Sequence, residues 1–295
     1  MSLADTTYIN MCKKIINEGT STEGQEVRPV WPDTGEKAHT IKTFGICNRY
    51  DLRKEFPIIT LRPINIKAAF DEILWIYQKK SNNVNDLNSH IWDSWADKNG
   101  SIGLAYGYQI GKKYVHHYGP YTTHVGTFNI QQELDQIDAV IYDLKHNPYS
   151  RRIMTNIYNF DDLYRMNLYP CAYSTTWNVT DEGYDKPILN MLLNQRSQDI
   201  LTAGNWNVVQ YALLLMMIAR VVDMIPGQLV HMIADAHIYD RHVPIIKELI
   251  ERPTYDAPIV TLDVDVKDFY EFTTDSLFMT AYLAGADVKN IPVAV

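Results

Sequence analysis

The chain has 295 residues, 46% of them hydrophobic and 21% charged, with 13 prolines and 14 glycines. That balance excludes a fibre or a disordered chain and leaves an ordinary globular protein with a sizeable core. A formal net charge of −8 argues against general affinity for a nucleic-acid backbone, although a few arginines in a pocket still suffice to hold a small anion.

The first residues, "MSLADTTYIN", carry no basic stretch followed by an apolar one, so the expected compartment is the cytoplasm. Asn65 to Lys80, "NIKAAFDEILWIYQKK", sets Ile66, Ala69, Phe70, Ile73, Leu74 and Tyr77 at helical spacing, with Glu72 inside the apolar pattern. "HIWDSWADKNGSIGLAYG" follows, dense in aromatics: Trp92, Trp95 and Tyr106 are either core or a stacking wall for a flat heterocycle. Lys112 to Phe128 reads as an extended surface insertion. A helical pattern over "QQELDQIDAVIYDLKHNP" stops at Asn147-Pro148, because the residue before proline disfavours further helix. Arg151 and Arg152 lie in the loop that comes next.

"AYSTTWNV" and "ILNMLLNQRS" read as strands joined in the manner of a hairpin, and "LVHMIADAHIY" and "PIVTLDVDV" as two more. Between them Val208 to Ile225 forms the longest apolar run, but Gln210, Arg220 and Asp223 interrupt it. It is expected to be a buried core helix and not a membrane span. No repeat or flexible linker divides the chain, so a single α+β domain over residues 1–295 is expected.

Three cysteines without CxxC spacing, Cys12, Cys47 and Cys171, favour reduced thiols over disulfides or a zinc knuckle. Cys171 follows a proline in "LYPCAYSTTW". A thiol becomes a useful nucleophile when guanidinium groups stabilise its thiolate, and Arg151, Arg152 and Arg196 are candidates. In "LLNQRSQD" the polar Gln195, Arg196, Ser197 and Asp199 follow an apolar run and look aimed at a pocket; Arg and Ser together suit a phosphate dianion. Asn207 is either the N-cap of the buried helix or an amide whose paired donor and acceptor match a uracil edge and mismatch cytosine. His231, Asp235, His237 and Tyr239 share a face of an extended strand, and His242 lies nearby; no further motif completes a metal site, so none is expected, and His237 and Tyr239 suit sugar hydroxyls instead.

Taken in order, "FDEILWIY", "HIWDSWADKNGSIGLAYG", "NPYSRRI", "LYPC", "NQRSQD", "NWNVVQYALL", "DAHIYDRH" and the terminal "PVAV" closely resemble the thymidylate synthase family over nearly the whole chain. The resemblance implies an α+β fold in which a mixed sheet, flanked by helices around a long buried central helix, packs back to back with a second copy in an obligate homodimer. It implies reductive methylation of dUMP to dTMP, with 5,10-methylenetetrahydrofolate as one-carbon and hydride donor and no metal. On that resemblance Cys171 is the nucleophile that adds to position 6 of the pyrimidine. Arg28, Arg196 and Ser197 hold the phosphate, with Arg151 and Arg152 from the other subunit; Gln195 lies on the nucleotide side. Asn207 holds the base, and His237 and Tyr239 the sugar. Glu72 and Tyr106 belong to a proton-transfer network. Trp92, Trp95, Arg62 and the Val295 carboxylate stand on the folate side, the last in a closing tail, and Asp199 contacts the pterin or the pyrimidine.

The sequence departs from the family pattern in places. Ala172 stands where His is common, Ala203 in "TAGNWN" where Gly is usual, and "VRPVWPDTGEKAHT" lacks the common Arg-Thr-Gly-Thr-Gly pattern around Arg28. Two other readings stand beside the synthase: a dUMP hydroxymethylase of the same superfamily, and a non-catalytic regulator that binds RNA.

Overall fold

The computed structural model describes residues 2–117 and 131–295. In chain order the elements are α1 (Leu3–Glu18), β1 (Thr20–Ser21), β2 (Thr40–Asp51), α2 (Ile66–Tyr77), α3 (Gly107–Gly111), β3 (Tyr114–His117) and β4 (Gln131–Leu134). They continue with α4 (Gln136–His146), β5 (Met154–Asn156), β6 (Ala172–Thr180), β7 (Ile188–Asp199), α5 (Trp206–Val221), β8 (Ile225–Tyr239), α6 (Val243–Leu249), β9 (Ile259–Leu262) and β10 (Leu277–Thr280).

Six strands form one mixed sheet in the order β1-β2-β8-β7-β6-β5. Every pair is antiparallel except β7 with β8. A parallel pair needs a crossover, and α5 supplies it. Both polar ends of this unit follow from register: Ser197 lies beside Asp235 and Asp199 beside His237, so chemistry-bearing residues of two strands meet at one end of the sheet. Helix α5 is buried from Val208 to Leu215 and again from Met217 to Ala219, with α2 packed against it. Asn65 caps α2 by accepting from the Ala68 N–H at 3.1 Å. The opposite sheet face is less covered: Phe44 is 88% exposed, and Leu192, Val230 and Met232 are only half-buried.

Four boundaries differ from the sequence expectation. The central helix begins at Trp206 and ends at Val221, because Asp223 adopts φ 57° and the Met224 N–H returns to the Ala219 carbonyl at 2.8 Å, a left-handed stop that frees Ile225 to start β8. Helix α4 begins at Gln136, since Asp135 caps it by accepting from the Asp138 N–H, and Gln131–Leu134 pairs instead as a strand with Tyr114–His117. The "PIVTLDVDV" strand stops at Leu262; beyond it Asp263 accepts from the Asp265 N–H at 3.0 Å in a local turn. Of the expected insertion, residues 118–128 lie outside the described residues, and its first part is β3.

Candidate active site

Cys171 sits in the bend between Pro170 and β6. Its N–H donates to Tyr106 Oη at 3.2 Å, and its carbonyl accepts from the Arg196 N–H at 2.9 Å. The Arg196 side chain donates to the carbonyls of Pro170 (2.9 Å) and Tyr169 (2.8 Å), which holds Nη2 at 3.7 Å from Cys171 Sγ. The proline matters here because it limits the conformations of Tyr169 and of itself, the two residues whose carbonyls the guanidinium grips. Burial pushes the thiol above its ordinary value of 9.0; the charges of Arg196 and Arg28 oppose that shift without cancelling it. Both guanidiniums thus favour the thiolate, against the desolvation that raises the thiol pKa.

The charge of Arg28 also acts on Tyr239, so this least regular of the expected phosphate ligands belongs to the same cluster. Ser197 stands half-buried on β7 beside Asp235. Arg151 and Arg152 are exposed in the turn before β5, and the guanidiniums whose charges act on Cys171 are those of Arg196 and Arg28. The structure therefore does not bring the Arg151-Arg152 pair to the cysteine of its own chain.

Asn207 lies within the first turn of α5, whose N-cap position is Asn205, so the capping alternative is overturned. The Asn205 amide is used elsewhere, accepting from the Ile59 N–H and donating to the Pro57 carbonyl. The Asn207 side chain instead joins a buried amide network: Oδ1 accepts from Gln195 Nε2 at 3.0 Å and Gln198 Nε2 at 3.4 Å, and Nδ2 donates to Gln210 Oε1 at 3.0 Å. Ala203 has a negative φ and is already in the helical approach, with its carbonyl accepting the Asn207 N–H at 3.1 Å, so a glycine's freedom is not required there. At Gly204 the need is real, because a Cβ would stand 2.3 Å from the Ile200 carbonyl oxygen.

Glu72, 4% exposed on α2, accepts from Trp206 Nε1 at 2.8 Å. Burial raises its carboxyl above the ordinary range, against hydrogen bonds that favour the charged form. Tyr106 carries φ 47°, a costly conformation for a large side chain, and its phenol is raised by burial and by the charges of Cys171 and Glu72. Trp92 packs edge-on against Tyr106 at 4.8 Å and also touches the rings of Trp75 and Trp95. It is 8% exposed, while Trp95 is half-buried.

On β8, His237 Nδ1 meets Asp235 Oδ1 at 2.8 Å, and Lys42 Nζ pairs with the same carboxylate at 3.1 Å. The Tyr239 ring lies edge-on to His237, Trp31 and His242, and burial pushes its phenol up to about 12. Asp199 accepts from Thr202 Oγ1 at 2.7 Å and lies 3.3 Å from His242 Nδ1; burial alone would raise its carboxyl, yet His242 and Thr202 hold it low. His242 Nε2 contacts the Pro292 carbonyl at 2.7 Å. Val295 exchanges both backbone hydrogen bonds with Val30, two residues from Arg28, so the C-terminal segment lies against the cluster. Arg62 donates to the Leu201 carbonyl at 2.8 Å and keeps a buried Nε without a partner among the described residues. The sequence reading missed Trp206 and Gln210; the signal was the position of Gln210, four residues after Trp206 and three after Asn207 on the same helix.

A partly covered thiol between two arginines, an adjacent amide reader and a buried acid describe an enzyme that adds a cysteine to a polar, anionic substrate. The family model for thymidylate synthase matches residues 6–295. A thymidylate synthase of Bacillus licheniformis is 40% identical over 298 residues, covering all of both chains, and one of Bacillus subtilis subsp. natto is 39% identical over 97% of each. A thermostable thymidylate synthase A from Bacillus subtilis superposes with a TM-score of 0.86 at 39% identity, covering 99% of each chain. The chain belongs to the thymidylate synthase family, a family of methyltransferases.

Proposed function

We propose that the protein converts dUMP to dTMP by reductive methylation, taking both the carbon and the hydride from 5,10-methylenetetrahydrofolate and releasing dihydrofolate. The observation that carries this reading is the Cys171 sulfur held 3.7 Å from a guanidinium that is itself pinned by two carbonyls. Cys171 adds to position 6 of the pyrimidine, and position 5, now enolate-like, attacks the folate methylene. Loss of the position-5 proton then breaks the bond between the methylene and the folate nitrogen, leaving an exocyclic methylene and tetrahydrofolate; hydride from that tetrahydrofolate reduces the methylene to methyl, giving dihydrofolate, as loss of the cysteine restores the ring double bond. Burial disfavours the Cys171 thiolate, and the charges of Arg196 and Arg28 favour it.

Arg28, Arg196 and Ser197 receive the phosphate, Asn207 the base and His237 with Tyr239 the sugar. Glu72, its affinity for a proton raised by burial, moves protons with Tyr106 beside it. Asp199, Arg62, Trp92 and Trp95 form the folate side; the buried Arg62 Nε, which finds no partner among the described residues, supports a polar or anionic group there. Val295 and its neighbours close the cavity and exclude water before hydride transfer. The chain works as one domain, in the cytoplasm; among the described residues no helix is long and apolar enough to cross a membrane. The half-covered sheet face supports a homodimer in which the exposed Arg151 and Arg152 complete the partner's phosphate site.

Incubation with dUMP and 5,10-methylenetetrahydrofolate tests the reading. Dihydrofolate rising in step with dTMP is expected; hydroxymethyl-dUMP without dihydrofolate, or no nucleotide product, would contradict it.

A further inference from the structure

His231 is fully buried on β8, ahead of His237 and Tyr239 on the same strand, and no step above uses it. Its Nε2 lies 2.8 Å from Gln195 Oε1, and its Nδ1 has no partner among the described residues. Gln195 in turn touches Asn207. We infer that His231 is a positioning residue that locks the orientation of the Asn207 amide through Gln195, and so sets the preference for uracil over cytosine. This inference rests on Asn207 being the base reader.

The argument follows donors and acceptors along the chain of contacts. A backbone carbonyl only accepts, so the Gln195 atom 3.1 Å from the Ser197 carbonyl is the nitrogen. The same Nε2 is 3.0 Å from Asn207, which requires Oδ1 there and leaves Nδ2 to donate to Gln210 Oε1 at 3.0 Å. Gln195 Oε1 must then face His231, and at 2.8 Å from an acceptor the imidazole has to donate. The ring is neutral, since burial pushes its pKa down to about 3, so it holds one proton, and that proton belongs on Nε2.

With the chain set this way Asn207 offers an oxygen for the uracil N3–H and its second amide hydrogen for O4. Cytosine presents the reverse pair, an acceptor at N3 and a donor at N4. Reading it needs the Asn207 amide turned over, which places two N–H donors against each other at Gln195. Turning Gln195 as well would set its oxygen against the Ser197 carbonyl and drive the His231 proton from Nε2 to Nδ1, where it finds no acceptor among the described residues. His231 thereby adds a buried unpaired N–H to the mismatch that the wrong base must impose.

Binding of dUMP and dCMP to the full-length protein, compared for His231→Leu and His231→Gln, tests this. His231→Leu should lower the dUMP:dCMP affinity ratio about tenfold, the size of one lost hydrogen bond. His231→Gln, which can present an amide N–H where Nε2 stood, should restore most of the ratio. An unchanged ratio in His231→Leu, with Asn207→Asp changing it, would overturn the inference alone; an unchanged ratio in Asn207→Asp would instead overturn the reading of Asn207. Should His231→Leu fail to fold, nitrogen NMR of the labelled wild-type protein decides: a protonated Nε2 with a bare Nδ1 is expected, and a proton on Nδ1 would refute the inference.

Discussion

Cys12 and Cys171 are both thiols that burial pushes upward, and they differ in what stands around them. Cys12 is sealed inside the packing of α1, 0% exposed, with Tyr8 as its polar neighbour, and its pKa rises to about 12. Cys171 is only partly covered, and Arg196 and Arg28 press its pKa back down. Burial alone makes an inert space-filling thiol. Access together with aimed positive charge makes one that a substrate can complete, because binding can supply what the free protein lacks.

The contrast breaks most sharply on exchange of the two sulfurs. Cys171→Ser should lower kcat by about 10⁴-fold or more while dUMP binding persists, and Cys12→Ser should leave kcat within about threefold. Steady-state rates on both variants check it. Glu72→Gln removes the raised acid without touching either thiol, so kcat should fall by about 10² to 10⁴-fold with little change in nucleotide affinity, as seen by rate and equilibrium binding together.

A smaller effect isolates the charge. Arg196→Leu should slow alkylation of Cys171 by iodoacetamide about tenfold at pH 8 and leave Cys12 as unreactive as before. Arg196→Lys should recover part of the rate, since it returns the charge but not the fork that grips Tyr169 and Pro170. Mass spectrometry of each cysteine peptide reads both.

The smallest effect concerns the C-terminal segment, whose Pro292 carbonyl meets His242. Burial would lower His242, but Asp199 and the Pro292 carbonyl raise it above 6.5, with Asp240 adding its charge. A raised group stabilises the folded arrangement fully below its ordinary value and loses that contribution as pH climbs through the raised one. Carboxypeptidase should therefore trim the C-terminus a few-fold faster at higher pH, and His242→Gln should flatten the dependence; trimming independent of pH in the wild type would count against the anchor.

Much of this was legible in the sequence, for physical reasons. The period-two pattern of β7 and β8 and the apolar length of α5 announce themselves, and Cys171 after Pro170 and the polar run from Gln195 to Asp199 mark the site. What escaped depends on partners distant along the chain. Asn207 reads equally as a helix cap or a base-reading amide until its contact with Gln195, 12 residues before it, and the cap position at Asn205 are known. Gln131–Leu134 looked helical because its strand partner lies beyond an intervening stretch, and Trp206 became relevant only through Glu72, 134 residues away. The net direction of the Cys171 shift was also hidden: sequence shows which charges are available, whereas burial depends on the whole fold.

The most direct test of the account traps the nucleotide on the protein. Rapid acid quenching during turnover with dUMP and 5,10-methylenetetrahydrofolate, followed by digestion and mass spectrometry, should find nucleotide mass on the peptide carrying Cys171 and on neither of the other cysteine peptides. Adduct on Cys12 or Cys47, or dTMP formed at the wild-type rate by Cys171→Ser, would contradict it.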